Sequence, residues 1–187
     1  MPILRDVAIG VLIVWMLIDS ALVFRHKTGK AESHDRYSLA VVAIGNLAGW
    51  FGSIWLAFSP YGALHPALPF QISGFALMAI GIALRFTAIA QLGRFHTPNV
   101  AVLADHEVME RGLYKHIRHP SYLGAMIAFC GFGLALGNWL SLVIVVVLNT
   151  AAYLVRIHEE EAALTAGLGE RYASYCRRTA RLIPHFY

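Results

Sequence analysis

FQISGFALMAIGIALRFTAIAQL, from Phe70 to Leu92, is an apolar run interrupted by one charged residue, Arg85. A helix rises about 1.5 Å per residue and the hydrocarbon core of a bilayer is about 30 Å thick, so roughly 20 such residues cross it. Backbone N–H and C=O groups find no water there and must pair within the segment, which makes the run a helix. Four more apolar stretches can be drawn: Ile3 to Phe24, Leu39 to Phe58, Tyr122 to Leu136 and Trp139 to Val155. The last two are short and separated only by Gly137-Asn138, a turn dipeptide, so they read as a tight helical hairpin. The expected fold is an all-α membrane protein of about five transmembrane helices with a cytoplasmic C-terminal helical segment.

Composition agrees. The 187 residues are 58% hydrophobic and 14% charged, with a mean hydropathy of +0.59, where soluble domains hold roughly 45 to 50% apolar residues. We read one membrane domain over 1–187, with N-terminal spans in 1–69 and a catalytic half in 70–187. The first run is longer than a signal-peptide core and reads as a span. Cys130 and Cys176 lie in an apolar run and a polar tail, which does not indicate a disulfide framework. The net charge of +4 comes from residues dispersed among span ends, which fits topology signals better than a nucleic-acid surface.

Orientation follows from lysine and arginine. The loop after the first span holds Arg25, Lys27, Lys30 and Arg36, whereas Ser59 to Gln71 has no Lys, Arg, Asp or Glu. The first loop is therefore expected in the cytoplasm and the second outside. Alternation then puts Arg94 to Tyr122 and the tail from Arg156 in the cytoplasm, and the N-terminus outside. In the tail, Glu159-Glu160-Glu161 is expected to open a separate helix, since helix starts favour negative charge, with Gly167 and Gly169 interrupting it. Arg171, Tyr172, Tyr175, Arg177 and Arg178 suit a membrane interface.

Polar residues concentrate in two cytoplasmic segments, His106 to Tyr122 and Arg156 to Leu164, which the hairpin brings face to face. Each has a plain reading: Arg118 and Arg156 as headgroup anchors, Pro120 as a helix start, Glu159 to Glu161 as a solvated turn. Arg156 and Glu160, one turn apart, are placed to pair with each other. His116 and His119 have the spacing of a metal pair, but Pro120 argues against one regular helix through both and no third ligand is evident; Ala162 breaks the H-E-x-x-H pattern begun at His158. We assign no metal. There is no G-x-G-x-x-G fingerprint, P-loop or G-x-S-x-G elbow.

The run Gly112-Leu113-Tyr114-Lys115-His116-Ile117-Arg118-His119-Pro120-Ser121-Tyr122, then Arg156, Glu159-Glu160-Glu161 and Leu164, then Gly169-Glu170-Arg171-Tyr172, Tyr175 and Arg181-Leu182-Ile183-Pro184, resembles the isoprenylcysteine carboxyl methyltransferase family. The resemblance implies a membrane enzyme that binds S-adenosylmethionine on the cytoplasmic side and methylates the carboxylate of a prenylated cysteine reached from the bilayer. Matched positions would place the cofactor against Val100, His106, Glu107, Val108, Met109, Tyr114, His119, Pro120, Ser121, Tyr122 and Glu160, with Arg156 on the acceptor carboxylate. Arg156 and Glu160 are the expected catalytic pair. Arg85, an ionisable residue inside a span, is a functional candidate by default: it either lines the active-site entrance as a substrate-binding residue or snorkels to the interface. The partners are then a lipophilic substrate and membrane lipid, with no nucleic acid.

The residue types suit that chemistry. A carboxylate is a nucleophile at neutral pH, so the reaction needs alignment and a dry site rather than a general base. Alternative readings are methylation of a phospholipid or another small lipophilic molecule, a sterol-reductase-like oxidoreductase using NADPH, and a membrane scaffold without catalysis. Arg156 favours an anionic acceptor over an amine.

Overall fold

The computed structural model describes residues 2–25, 37–96 and 108–184. Among the described residues six α-helices follow one another: α1 (Pro2–Arg25), α2 (Ser38–Ala57), α3 (Ala67–Leu92), α4 (Pro120–Ala135), α5 (Trp139–Leu168) and α6 (Glu170–Arg178). Short 3-10 turns cover Gly93–Phe95 and Gly112–Lys115. Among the described residues α2, α3 and α5 are each long and apolar enough to cross a membrane. The runs read from the sequence coincide with α1 to α4 to within a few residues.

The helices approach closely because glycines line their contacts. On α3, Gly74 and Gly81 lie two turns apart, and on α4 Gly124 and Gly131 do the same. A Cβ on Gly124 would stand 2.6 Å from the Arg85 nitrogen, and one on Gly131 2.6 Å from the Gly74 oxygen. The two backbones are in contact and antiparallel, which small residues permit and which supplies packing that apolar burial cannot supply in lipid. α2 runs antiparallel to α5 in the same manner, Gly45 facing Ala152 and Gly52 facing Ile144. Between these pairs sits a core of Trp15, Met78, Phe129, Phe132, Val145 and Tyr153, while Ile44, Phe51 and Trp55 of α2 point outward.

One end of the bundle is a polar knot. Asn138 caps α5, its Oδ1 accepting from the backbone of Leu140 at 2.9 Å and of Ser141 at 3.1 Å. Its Nδ2 donates to the carbonyls of Leu56 (3.1 Å) and Tyr61 (2.7 Å). Gly62, at φ +82°, gives way to this amide, since a Cβ there would meet Asn138 Oδ1 at 2.7 Å. Arg5 joins the same end, donating to the Ala57 carbonyl at 3.2 Å and lying over the Phe58 ring. The α2–α3 loop and the α4–α5 turn therefore share an end, and the residues singled out for chemistry occupy the other.

One expectation fails. Glu159, Glu160 and Glu161 do not open a helix; they lie inside α5, which runs unbroken for 30 residues to Leu168. Propagating a helix already capped at Asn138 costs little, whereas starting a new one is unfavourable, and the Glu, Ala and Leu that follow are good helix formers. Gly167 stays helical. Only Gly169, at φ +55°, ends α5 and sets off α6. At about 45 Å, α5 is longer than the ~30 Å hydrocarbon layer, and its charged residues are confined to the part from Arg156 onward.

Candidate active site

Asp19 from α1, Ser38 from α2, Arg85 from α3, His119 to Tyr122 at the start of α4, and Arg156, Glu160 and Glu161 from α5 meet at the end opposite the Asn138 knot. Pro120 occupies the first turn of α4, where a missing N–H costs nothing, and is fully buried. His119 and Ser121 beside it are buried and Tyr122 is half-buried.

Tyr122 is the hub. Its hydroxyl donates to Glu160 Oε2 at 2.7 Å and accepts from Arg156 Nε at 3.4 Å, so the two residues that the sequence paired are linked through a phenol. Arg156 also donates to Ser38 Oγ at 2.9 Å. The Tyr122 ring stacks on His119 with centroids 5.7 Å apart, and its centroid lies 5.3 Å from that of Tyr153.

Beside this group, Glu161 gathers two guanidinium groups and an imidazole. Arg118 Nε reaches its Oε1 at 2.8 Å, His119 Nε2 the same oxygen at 3.2 Å, and Arg181 Nη2 its Oε2 at 2.7 Å. Burial alone would raise this carboxyl, but the hydrogen bonds from His119, Arg118 and Arg181 outweigh it and bring the group down to about 2. Backbone bonds join the same elements: Arg118 N to Ala180 O at 2.8 Å, and Ala180 N to His116 O at 3.1 Å. The C-terminal segment is thus stitched to the entrance of α4.

Arg85 makes a bidentate ion pair with Asp19, Nε to Oδ1 at 2.5 Å and Nη2 to Oδ2 at 2.7 Å, and its Nη1 lies 3.4 Å from the Ser121 carbonyl. Tyr114 is buried; its hydroxyl donates to the Ala88 carbonyl at 3.3 Å, and its own carbonyl accepts from Tyr175 at 2.7 Å. Burial, reinforced by the Glu160 carboxylate, pushes the Tyr114 phenol above its usual range. Val108 and Met109 are half-buried in the strand-less approach to the Gly112–Lys115 turn. Val100, His106 and Glu107 lie outside the described residues.

The structure therefore brings together Arg85, His119, Pro120, Ser121, Tyr122, Arg156 and Glu160. Sequence reasoning missed Asp19, Ser38 and Tyr153, and gave Glu161 and Arg181 no task of their own. Asp19 had a signal, because an acid inside the first apolar run calls for a buried partner and Arg85 was the charge available within a span. Ser38 had none.

Fold and site define a helical membrane protein with a carboxylate, guanidinium and aromatic cluster at one end of its bundle. The family model for isoprenylcysteine carboxyl methyltransferases (ICMT) matches residues 74–166. The chain is 32% identical to the protein-S-isoprenylcysteine O-methyltransferase of Schizosaccharomyces pombe over 62% of its own length and 50% of that protein. It is 31% identical to protein-S-isoprenylcysteine O-methyltransferase B of Arabidopsis thaliana, over 59% of this chain and 57% of the plant protein. The solved structure of the eukaryotic intramembrane Ras methyltransferase ICMT superposes with a TM-score of 0.56 at 25% identity, over 78% of this chain and 52% of that one. A shorter match, 38% identical over 38% of this chain and 26% of the relative, is to a methanethiol S-methyltransferase from a Pseudomonas strain. The chain belongs to the isoprenylcysteine carboxyl methyltransferase family and is an integral membrane protein. It spans about half the length of the curated relatives it matches. Asp19, Ser38 and Arg181, which support the site, lie outside the matched segment.

Proposed function

We propose that this protein is an S-adenosylmethionine-dependent methyltransferase whose acceptor is the carboxylate of a lipophilic, prenylcysteine-type molecule, drawn from the bilayer to a site at the cytoplasmic face. The observation that carries the reading is the Tyr122 hydroxyl, which joins the expected cofactor residue Glu160 to the expected acceptor residue Arg156. The residues present suit such a cofactor: a carboxylate for its ammonium or ribose hydroxyls, and the rings of His119 and Tyr122 for its flat base. When bound, the cofactor supplies an electrophilic methyl group on a sulfonium.

The chain's own part is alignment. Arg156, buried and steadied by Ser38, offers a planar fork that matches a carboxylate bidentately. Glu160 holds the cofactor side, and Tyr122 spaces the two. The buried surroundings keep water away and strengthen these contacts. In this reading α1 to α5 all cross the bilayer, α4 and α5 form a hairpin, and the site and C-terminus lie in the cytoplasm because the loop after α1 is rich in lysine and arginine.

Calorimetry of the detergent-solubilised protein with S-adenosylhomocysteine is the direct test. Binding by the wild type and its loss in Glu160→Ala are expected; a wild type that does not bind removes the proposal. Arg156→Ala is expected to retain that binding and to lose turnover of a prenylcysteine analogue. The similarity to a methanethiol S-methyltransferase favours a second reading, a small thiol acceptor. Turnover of methanethiol by Arg156→Ala at the wild-type rate would select it, since a thiol has no use for the fork.

A further inference from the structure

Glu161 stands one residue beyond Glu160 but is engaged differently. Its two oxygens already receive Arg118, His119 and Arg181 at 2.8, 3.2 and 2.7 Å, which leaves little acceptor capacity for a ligand. Glu160 receives the Tyr122 hydroxyl instead. Adjacent residues on a helix point about 100° apart, so the two acids serve different neighbours.

We propose that Glu161 is a positioning residue for the cofactor wall: it fixes the His119 ring and ties the segment around Arg181 to the start of α4. The inference rests on the methyltransferase reading above. A carboxylate bonded by two guanidinium groups is an acceptor only, so the His119 nitrogen facing it, Nε2, carries the hydrogen. In the neutral ring Nδ1 is then left as an acceptor, and the ring cannot turn over without losing its bond to Glu161. His119 is 4% exposed and stacks on Tyr122, so a ring held at Nε2 also holds the phenol that meets Glu160 and Arg156. The same carboxylate offsets the two arginines gathered at this corner. Arg118, so balanced, spans to the carbonyls of Cys176 and Thr179, and the backbone N–H of His119 donates to the Arg181 carbonyl at 3.2 Å. Glu161 acts through His119, not on substrate.

The test compares Glu161→Gln, which keeps an acceptor oxygen, with Glu161→Leu, which removes it. Two readouts are taken on detergent-solubilised full-length protein: 15N signals of labelled histidine, with His119 assigned by His119→Gln, and S-adenosylhomocysteine affinity by calorimetry. The Nε2–H form of His119 is expected in wild type and Glu161→Gln. In Glu161→Leu that signal is expected to be lost and affinity to fall about tenfold or more, against less than about threefold in Glu161→Gln. A purely structural role would lower the melting temperature of both variants and leave the affinity of the folded protein unmoved. Unchanged affinity and unchanged His119 signals in Glu161→Leu would overturn the proposal. Should the stranded arginines keep Glu161→Leu from folding, Glu161→Leu/Arg181→Leu removes one of them and carries the same readouts. A wild type that binds no S-adenosylhomocysteine would remove the methyltransferase reading and the cofactor part of this one, while the histidine signals would still decide the Glu161–His119 contact.

Discussion

Asp19 and Arg85 offer a quantitative handle on how α1 is built into the bundle. Their side chains are only 13% and 7% exposed and meet through two parallel bonds of 2.5 and 2.7 Å. Removing one partner strands the other as an unpaired charge in a low-dielectric interior, a loss of about 3–5 kcal/mol. Removing both with apolar residues of similar size deletes the desolvation cost along with the attraction and is often neutral or stabilising. Asp19→Leu and Arg85→Leu should each be severely destabilised, and Asp19→Leu/Arg85→Leu should recover most of the loss. With about 2–4 °C per kcal/mol for a chain of this size, each single variant should melt roughly 6–20 °C below wild type. The assay is heating in detergent followed by size-exclusion chromatography of the protein that stays monodisperse. A double variant that loses as much as the two singles combined would refute the pairing. The same double variant settles the role of Arg85: an acceptor KM equal to wild type makes it a strut, and a raised KM returns it to the acceptor's path.

Two further outcomes are expected. Gly124→Val places a Cβ 2.6 Å from the backbone of Arg85, where no side chain can swing aside; it should cost at least about 3 kcal/mol and abolish the monodisperse peak. Glu161, at about 2 in the folded protein, lies below its unfolded value of about 4.3. Its contribution to stability is therefore complete above that unfolded value and lost as pH falls from about 4.3 through about 2. A melting temperature followed from pH 6 to pH 3 should fall more steeply in wild type than in Glu161→Gln; parallel curves would contradict the assignment.

The segment Gly112 to Tyr122 and the pair Arg156 and Glu160 could be singled out because they are polar residues in a fixed order on elements whose hydrophobic pattern is unmistakable, and the structure brings Tyr122, Arg156 and Glu160 into one hydrogen-bonded group. Two features were not. The acidic run Glu159 to Glu161 resembles a helix start, and only the upstream cap at Asn138 shows that it lies in the middle of one. Asp19 sits in a run that hydropathy reads as a plain span, and its partner is distant in sequence.

Residue order alone is enough to make the chain helical, to assign it to a membrane, and to set its polar segments apart from the lipid, because hydrocarbon penalises every unpaired backbone group and every lone charge. The glycines repeated at two-turn spacing on α3 and α4 show their part only in the folded bundle, where the two backbones meet. How the charges pair depends on the packing of the helices. Glu160 goes to Tyr122, Glu161 to Arg118, His119 and Arg181, and Arg85 to Asp19. Several carboxylates and guanidinium groups of similar chemistry compete at one end of the bundle, and the angle at which each helix presents its side chains, a property of packing and not of composition, selects the partners.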